Sequence, residues 1–261
     1  MAEHQCGGCG GCGGQAEQEE PGKANMNPLS QVKQVIGVVS GKGGTGKSLV
    51  TGLLATGLLR RGHSAAILDA DIACPVIPEM FALPQGVTRG EAGLYPALSE
   101  LGLRVMSISL LTEHESDLIT TRGASMAAIV EQLFSSVIWD DTDTLFLDLP
   151  AGLGDVTQLA FERLPLDGVI IVTTPQELVS RAVRRTILLA QSLNVPILGL
   201  IENFSESFGG NATEALSQEF DVPILDHLPL DPRLSIAADG GKLDALPTTY
   251  LSNTIQLLES L

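Results

Sequence analysis

The chain reads as an α/β protein with a mostly parallel sheet covered by helices on both faces. Three observations predict this. Short apolar runs alternate with segments of helical period along most of the length. The runs are continuously apolar, as strands buried on both faces are. The first of them ends in a glycine-rich turn that opens a helical segment, the beginning of a β-α-β unit.

The elements follow in order. Val35–Ser40 is a buried strand, and Leu49–Arg61 carries apolar residues at helical spacing until Gly62 stops it. Ala65–Asp69 and Leu103–Ile108 read as the next strands, with a helix over Ser125–Val137 and a strand over Thr144–Asp148. Gly168–Thr173 is extended, Glu177–Leu193 helical and Ile197–Glu202 extended. Residues 211–220 look helical, Pro223–Leu228 extended, and Leu251–Ser260 forms a closing helix. Residues 1–30, with the pairs Gly7-Gly8, Gly10-Gly11 and Gly13-Gly14 and a polar stretch over Gln15–Ala24, have the composition of a flexible tail. Order is expected from near Val32, so the chain divides into a tail (1–30) and one domain (31–261).

Of the 261 residues, 44% are hydrophobic, enough for a substantial core. The net charge of −16 repels phosphate backbones and anionic lipid, so neither nucleic acid nor membrane is an expected partner. Arg181, Arg184 and Arg185 share one helix and read as its solvated face. No apolar run is long enough to cross a bilayer, and the polar N-terminus does not resemble a signal peptide; a cytoplasmic location is expected.

The segment Gly41-Lys42-Gly43-Gly44-Thr45-Gly46-Lys47-Ser48 fits G-x-x-x-x-G-K-[ST], with a strand before it and a helix after it. Glycines let backbone N–H groups curl around phosphate oxygens, and the helix N-terminus adds its positive end. Lys47 is expected on the β- and γ-phosphates of ATP, and the Ser48 hydroxyl on Mg²⁺. The strand Thr144–Asp148 ends in an acid, which places Asp148 where it can hold Mg²⁺ through water. Asp69 and Asp71 likewise end a buried strand, at the carboxyl edge of the sheet where ligands bind.

Lys42 makes the loop G-K-G-G-x-G-K-[ST], which resembles the deviant P-loop ATPases. The resemblance implies a homodimer gated by ATP, in which Lys42 reaches the partner's nucleotide and Asp71 orients the hydrolytic water. Further segments narrow it: Asp69-Ala70-Asp71-Ile72-Ala73-Cys74-Pro75-Val76-Ile77-Pro78, Thr121-Arg122-Gly123, the run Leu147–Val156, Val172-Thr173-Thr174-Pro175-Gln176, and Ile201-Glu202-Asn203-Phe204-Ser205. Together these are similar to the Mrp/Nbp-type (ApbC-like) iron–sulfur carrier ATPases of the MinD/ParA superfamily. The resemblance implies slow hydrolysis of ATP, apo iron–sulfur proteins as clients, and adenine contacts at Asn203, Pro229 and Asp231. MinD/ParA-like positioning or partner docking, gated by nucleotide but without a cluster, is the alternative.

One departure stands out. Mrp-type carriers have a C-P-x-C pair after the segment corresponding to Ile201–Ser205, where a 4Fe-4S cluster bridges two subunits. Here the stretch is Glu206-Ser207-Phe208-Gly209-Gly210-Asn211, without a thiol. Cys6, Cys9 and Cys12, with His4, form a C-x-x-C-x-x-C cluster in the tail that suits iron–sulfur or zinc ligation, or else a tail of unliganded thiols. Cys74 reads as a small packed residue.

Overall fold

Gln31–Ser40 (β1) begins with alternating exposed and half-buried residues and becomes wholly buried from Val35 onward. It starts four residues earlier than the apolar run because its first half still pairs, Gln31 lying opposite Asp141 and Val32 opposite Thr142. The computed structural model describes residues 22–112, 124–207, 209–247 and 250–261. Thr121, Arg122, Gly123, Phe208 and the tail residues His4, Cys6, Cys9 and Cys12 lie outside them.

After β1 come α1 (Lys47–Arg60), β2 (Ala65–Asp69), a short α2 (Ile77–Met80), a small hairpin of β3 (Thr88–Gly90) and β4 (Gly93–Tyr95), then β5 (Ala97–Leu98) and β6 (Arg104–Ser107). The second half holds α3 (Ala124–Ser136), β7 (Asp141–Asp148), α4 (Asp155–Arg163), β8 (Gly168–Thr173), α5 (Glu177–Ser192), β9 (Ile197–Asn203), α6 (Ala212–Phe220), β10 (Ile224–Leu228), α7 (Pro232–Asp239) and α8 (Ser252–Ser260). The main sheet runs β10-β9-β8-β1-β7-β2-β6-β5. Its strands are parallel except β5, which pairs antiparallel to β6 at one edge.

Successive residues of a strand point to opposite faces, and the core divides accordingly. Ile36 and Val38 join α1, α7 and α8 in one layer. Val35 and Val39 join α3 and α4 in the other, which α5 and α6 extend over Ile171 and Leu200. The expected α/β architecture is therefore observed, with helices on both faces.

Several elements were not anticipated. The helix α2, the β3–β4 hairpin and β5 are too short to show a period, and the helices α4 and α7, of nine and eight residues, were not expected either, although Asp231 followed by Pro232 is a start signal for α7. Residues 22–30, expected in the tail, pack on the body instead. The Lys23 ammonium donates to the carbonyls of Phe161 and Leu164 at the end of α4, and the Ala24 amide donates to Arg163. Asn27 donates to the Ala92 carbonyl and Ser30 to that of Val137. A lysine beside the open carbonyls of a helix end outweighs the low-complexity composition around it.

Candidate functional site

The loop between β1 and α1 crosses the carboxyl edge of the sheet, and its glycines have distinct tasks. Gly44 and Gly46 take φ of 82° and 81°, which only glycine adopts freely. A Cβ on Gly46 would also meet Asn203 Nδ2 at 2.2 Å, and one on Gly41 would meet the Val183 backbone nitrogen of α5 at 2.5 Å. Gly43 and Gly44 face open space. The sequence suggested that all four glycines serve phosphate approach. In the structure Gly41 is demanded by helix packing, and the open side of the cradle belongs to Gly43 and Gly44.

This loop walls a cleft of about 600 Å³ together with Asp71, Ala73, Cys74, Val76, Met80, Pro150 and Ala151. The tips of β2 and β7 thus meet the loop. Beneath it lies Asp148, fully buried. Lys47 Nζ stands 2.6 Å from Asp148 Oδ2, Ser48 Oγ donates to the same oxygen at 2.6 Å, and Thr51 Oγ1 donates to Oδ1 at 2.6 Å. Thr51 lies outside the phosphate-loop motif. Its position one turn after Lys47, on the same helix face, was the available signal.

Asp69 is buried beside this cluster. Its carboxyl accepts from the amides of Asp71 and Ile77, both at 3.3 Å, and from Ser107 Oγ at 3.2 Å. Burial above all, then the neighbouring Asp148 carboxylate, holds its pKa well above the usual carboxylate range, against the pull of Lys47. Asp71 is partly exposed at the cleft, and burial raises its pKa too, again opposed by Lys47. Its Oδ1 accepts from the amide of Cys74 at 3.3 Å, which ties the following turn to the acid. Cys74, read as packed, is exposed on the cleft wall, because that turn carries it outward from the sheet edge.

Asn203 ends β9 and is almost wholly buried. Its Nδ2 donates to the Thr45 carbonyl at 2.8 Å and its Oδ1 accepts from the Phe204 amide at 2.9 Å. It therefore holds the phosphate loop from behind. Pro229 and Asp231 lie outside the residues that line the cleft. Asp231 caps α7, accepting from the Arg233 amide and guanidinium and from the Tyr250 hydroxyl, which keep its carboxyl far below the usual range. Lys42 is exposed at the tip of the loop, where only its carbonyl is engaged, by Ser40 Oγ at 3.0 Å. On α5, Arg184 pairs with Glu219 and stacks over Phe220 at 5.6 Å.

Among the described residues no group of three or more His, Cys, Asp or Glu is placed to hold a metal ion, and no helix is long and apolar enough to cross a membrane.

The family model of the NUBPL iron-transfer P-loop NTPases, within the ParA group, matches residues 31–259. An iron-sulfur cluster carrier protein of Clostridium perfringens is 34% identical over 231 residues, covering 82% of this chain and 81% of that protein. One from Rickettsia bellii is 38% identical over 223 residues, covering 85% and 68%. Among solved structures, a nucleotide-binding protein of Archaeoglobus fulgidus in complex with ADP superposes with a TM-score of 0.73 at 32% identity, over 83% of this chain and 90% of that one. The septum site-determining protein MinD of Pyrococcus horikoshii, with Mg-ADP, shares the fold at a TM-score of 0.64 and 22% identity, over 88% and 96%. With the phosphate loop, the buried Lys47–Asp148 pair and the parallel sheet all in place, the chain belongs to the NUBPL-type iron-transfer P-loop NTPases of the ParA family.

Proposed function

We propose that this chain is an iron–sulfur cluster carrier whose dimer is assembled by ATP and released by slow hydrolysis to ADP and phosphate. The observation that carries the proposal is the convergence of Lys47 and Ser48 on buried Asp148 under an open glycine cradle. Relatives named iron-sulfur cluster carrier proteins, matched over most of their length, supply the cargo.

Mg²⁺ is the implied cofactor, and the residues fit it. Ser48 Oγ and Asp148 Oδ2 are hard oxygen donors side by side at the loop, the type of donor this ion takes. When bound, the ion would neutralise phosphate charge. The chain's own groups do the rest. The loop amides receive the phosphates, and the Lys47 ammonium exchanges Asp148 for phosphate oxygens. Asp71, at the mouth of the cleft, holds the attacking water. Lys42, exposed at the loop tip, reaches the nucleotide of the second subunit. Loss of the γ-phosphate then frees the segments after Asp71 and Asp148.

The cluster itself is cargo, carried to apo iron–sulfur proteins. Glu206–Asn211 contains no cysteine, so we assign the cargo ligands to Cys6, Cys9 and Cys12, with His4, another chain or a small molecule completing the set. The cytoplasm is the proposed location.

Anaerobic reconstitution with iron and sulfide tests this reading. The wild type should take up both and develop a cluster absorption band, and replacement of Cys6, Cys9 and Cys12 by alanine should abolish it while sparing ATP binding. Equal iron and sulfide in the triple variant would overturn the assignment.

A further inference from the structure

A second cleft, of about 410 Å³, lies away from the phosphate loop. The turn after β5 leads into the start of β6, so this cleft sits toward the amino ends of the parallel strands, opposite the nucleotide edge. Leu83, Pro84, Leu98, Glu100, Lys242 and Asp244 are among its walls.

Asp244 is the unusual member. It is only 9% exposed. Its Oδ2 accepts from the Leu101 amide at 3.1 Å, and its carbonyl accepts from the Arg60 guanidinium. Its Oδ1, however, is buried without a hydrogen-bond partner, and Lys242 on the exposed rim does not supply one. A carboxyl oxygen desolvated and unmatched is costly, and native proteins leave few of them. An aspartate carboxyl turns readily about its terminal bond, so a donor entering the cleft can engage it.

We infer that this cleft receives an arginine side chain carried by an extended segment of a partner polypeptide. Four features select that occupant. A guanidinium offers several donors in one plane, enough for both Asp244 and the exposed Glu100 at the rim. Its apolar stem suits Leu83, Pro84 and Leu98, the last 63% exposed. β5 is the edge of the sheet among the described strands, so its outer backbone groups can pair with an extended segment, which a free amine would not use. The net charge of −16 favours a basic partner. The cleft is also joined to the nucleotide site through the end of α2 and the turn after it, since Met80 lines one cleft and Leu83 the other. The inference does not depend on the nature of the cargo.

The test is a titration of the isotope-labelled full chain, followed by NMR, with the capped tripeptide acetyl-Val-Arg-Val-amide. The same peptide with citrulline in place of arginine, and ethylguanidinium, serve as comparisons. Saturable shifts at Leu98, Leu101 and Asp244 are expected, with affinity falling about tenfold or more for the citrulline peptide. Ethylguanidinium should bind more weakly than the arginine peptide. Asp244→Asn should reproduce the citrulline loss. Should that variant not fold, Leu98→Lys, on an exposed side chain, places a competing cation at the mouth and should weaken the arginine peptide similarly while leaving ADP binding unchanged. Equal affinity for arginine and citrulline, ethylguanidinium as tight as the peptide, no saturable shift, or undiminished binding to Leu98→Lys would each overturn the inference.

Discussion

Lys47 Nζ and Asp148 Oδ2, from residues 101 apart in sequence, lie 2.6 Å apart in the floor of the phosphate cleft, both side chains buried. The ammonium expected on phosphate thus neutralises a buried carboxylate before nucleotide arrives. Removing it leaves that charge desolvated. Lys47→Ala should abolish ADP binding by calorimetry and also cost about 3 kcal/mol of stability in urea unfolding. An unfolding midpoint equal to wild type would show that Asp148 does not rely on Lys47.

Thr51 supplies the short hydrogen bond to the second carboxylate oxygen of Asp148, Oδ1, from a fully buried hydroxyl. Thr51→Val keeps the shape and removes the donor. It should destabilise the nucleotide-free protein by about 1.5–3 kcal/mol, the usual worth of a hydrogen bond to a charged group. Thermal unfolding with and without ADP is the measurement, and no shift in Tm would remove Thr51 from the site.

Asn203 and Gly46 form a lock on the loop. Asn203→Ala frees the Thr45 carbonyl and should weaken ADP binding about tenfold, or about 1.4 kcal/mol. Gly46→Ala should be more severe, since its methyl collides with Asn203 Nδ2 and its φ is positive. Combining the two removes the collision, so the double variant should bind ADP better than Gly46→Ala alone. A strictly additive outcome would sink the lock.

Lys42 is exposed and not among the lining residues of the cleft. Lys42→Ala should therefore bind ATP as wild type does yet lose dimerisation in the presence of a non-hydrolysable ATP analogue, measured by light scattering. Dimerisation equal to wild type would refute a role across the subunit interface.

Asp143 provides a pH signature. Its hydrogen-bonded pairing with Lys33, then its bonds from Ser64, hold its carboxyl down at about 2 against a usual 3.8. Because the folded pKa is lowered, the unfolded chain binds more protons between these values. The contribution is present above pH 3.8 and is lost as pH falls toward 2. Asp143→Asn should be less stable than wild type at neutral pH, and the difference in Tm should shrink as pH drops through that window. A difference that is constant with pH would assign the loss to packing instead.

The long elements were legible in the sequence because each carries its own period or apolar run. β2 and β8 occupy the expected residues, Ala65–Asp69 and Gly168–Thr173. The phosphate loop was legible for a similar reason: its glycines and Lys47 are consecutive, and a local motif needs no knowledge of the fold. The elements of two to four residues, α2, β3, β4 and β5, were not, and neither was the nine-residue α4, since their stability comes from neighbours rather than from propensity.

Within the site, the sequence by itself determined the phosphate loop, the acids at the tips of β2 and β7, and the absence of thiols in Glu206–Asn211. Only the tertiary structure decided which groups those acids meet. It brought Thr51 and Lys47 onto Asp148, set Asn203 behind Thr45, placed α5 against Gly41, and left Asp244 Oδ1 unmatched in a distant cleft. The reason is physical. A motif is written along the chain, whereas burial and hydrogen-bond partnership arise between segments brought together by strand order, and strand order is set by packing the two faces of the sheet.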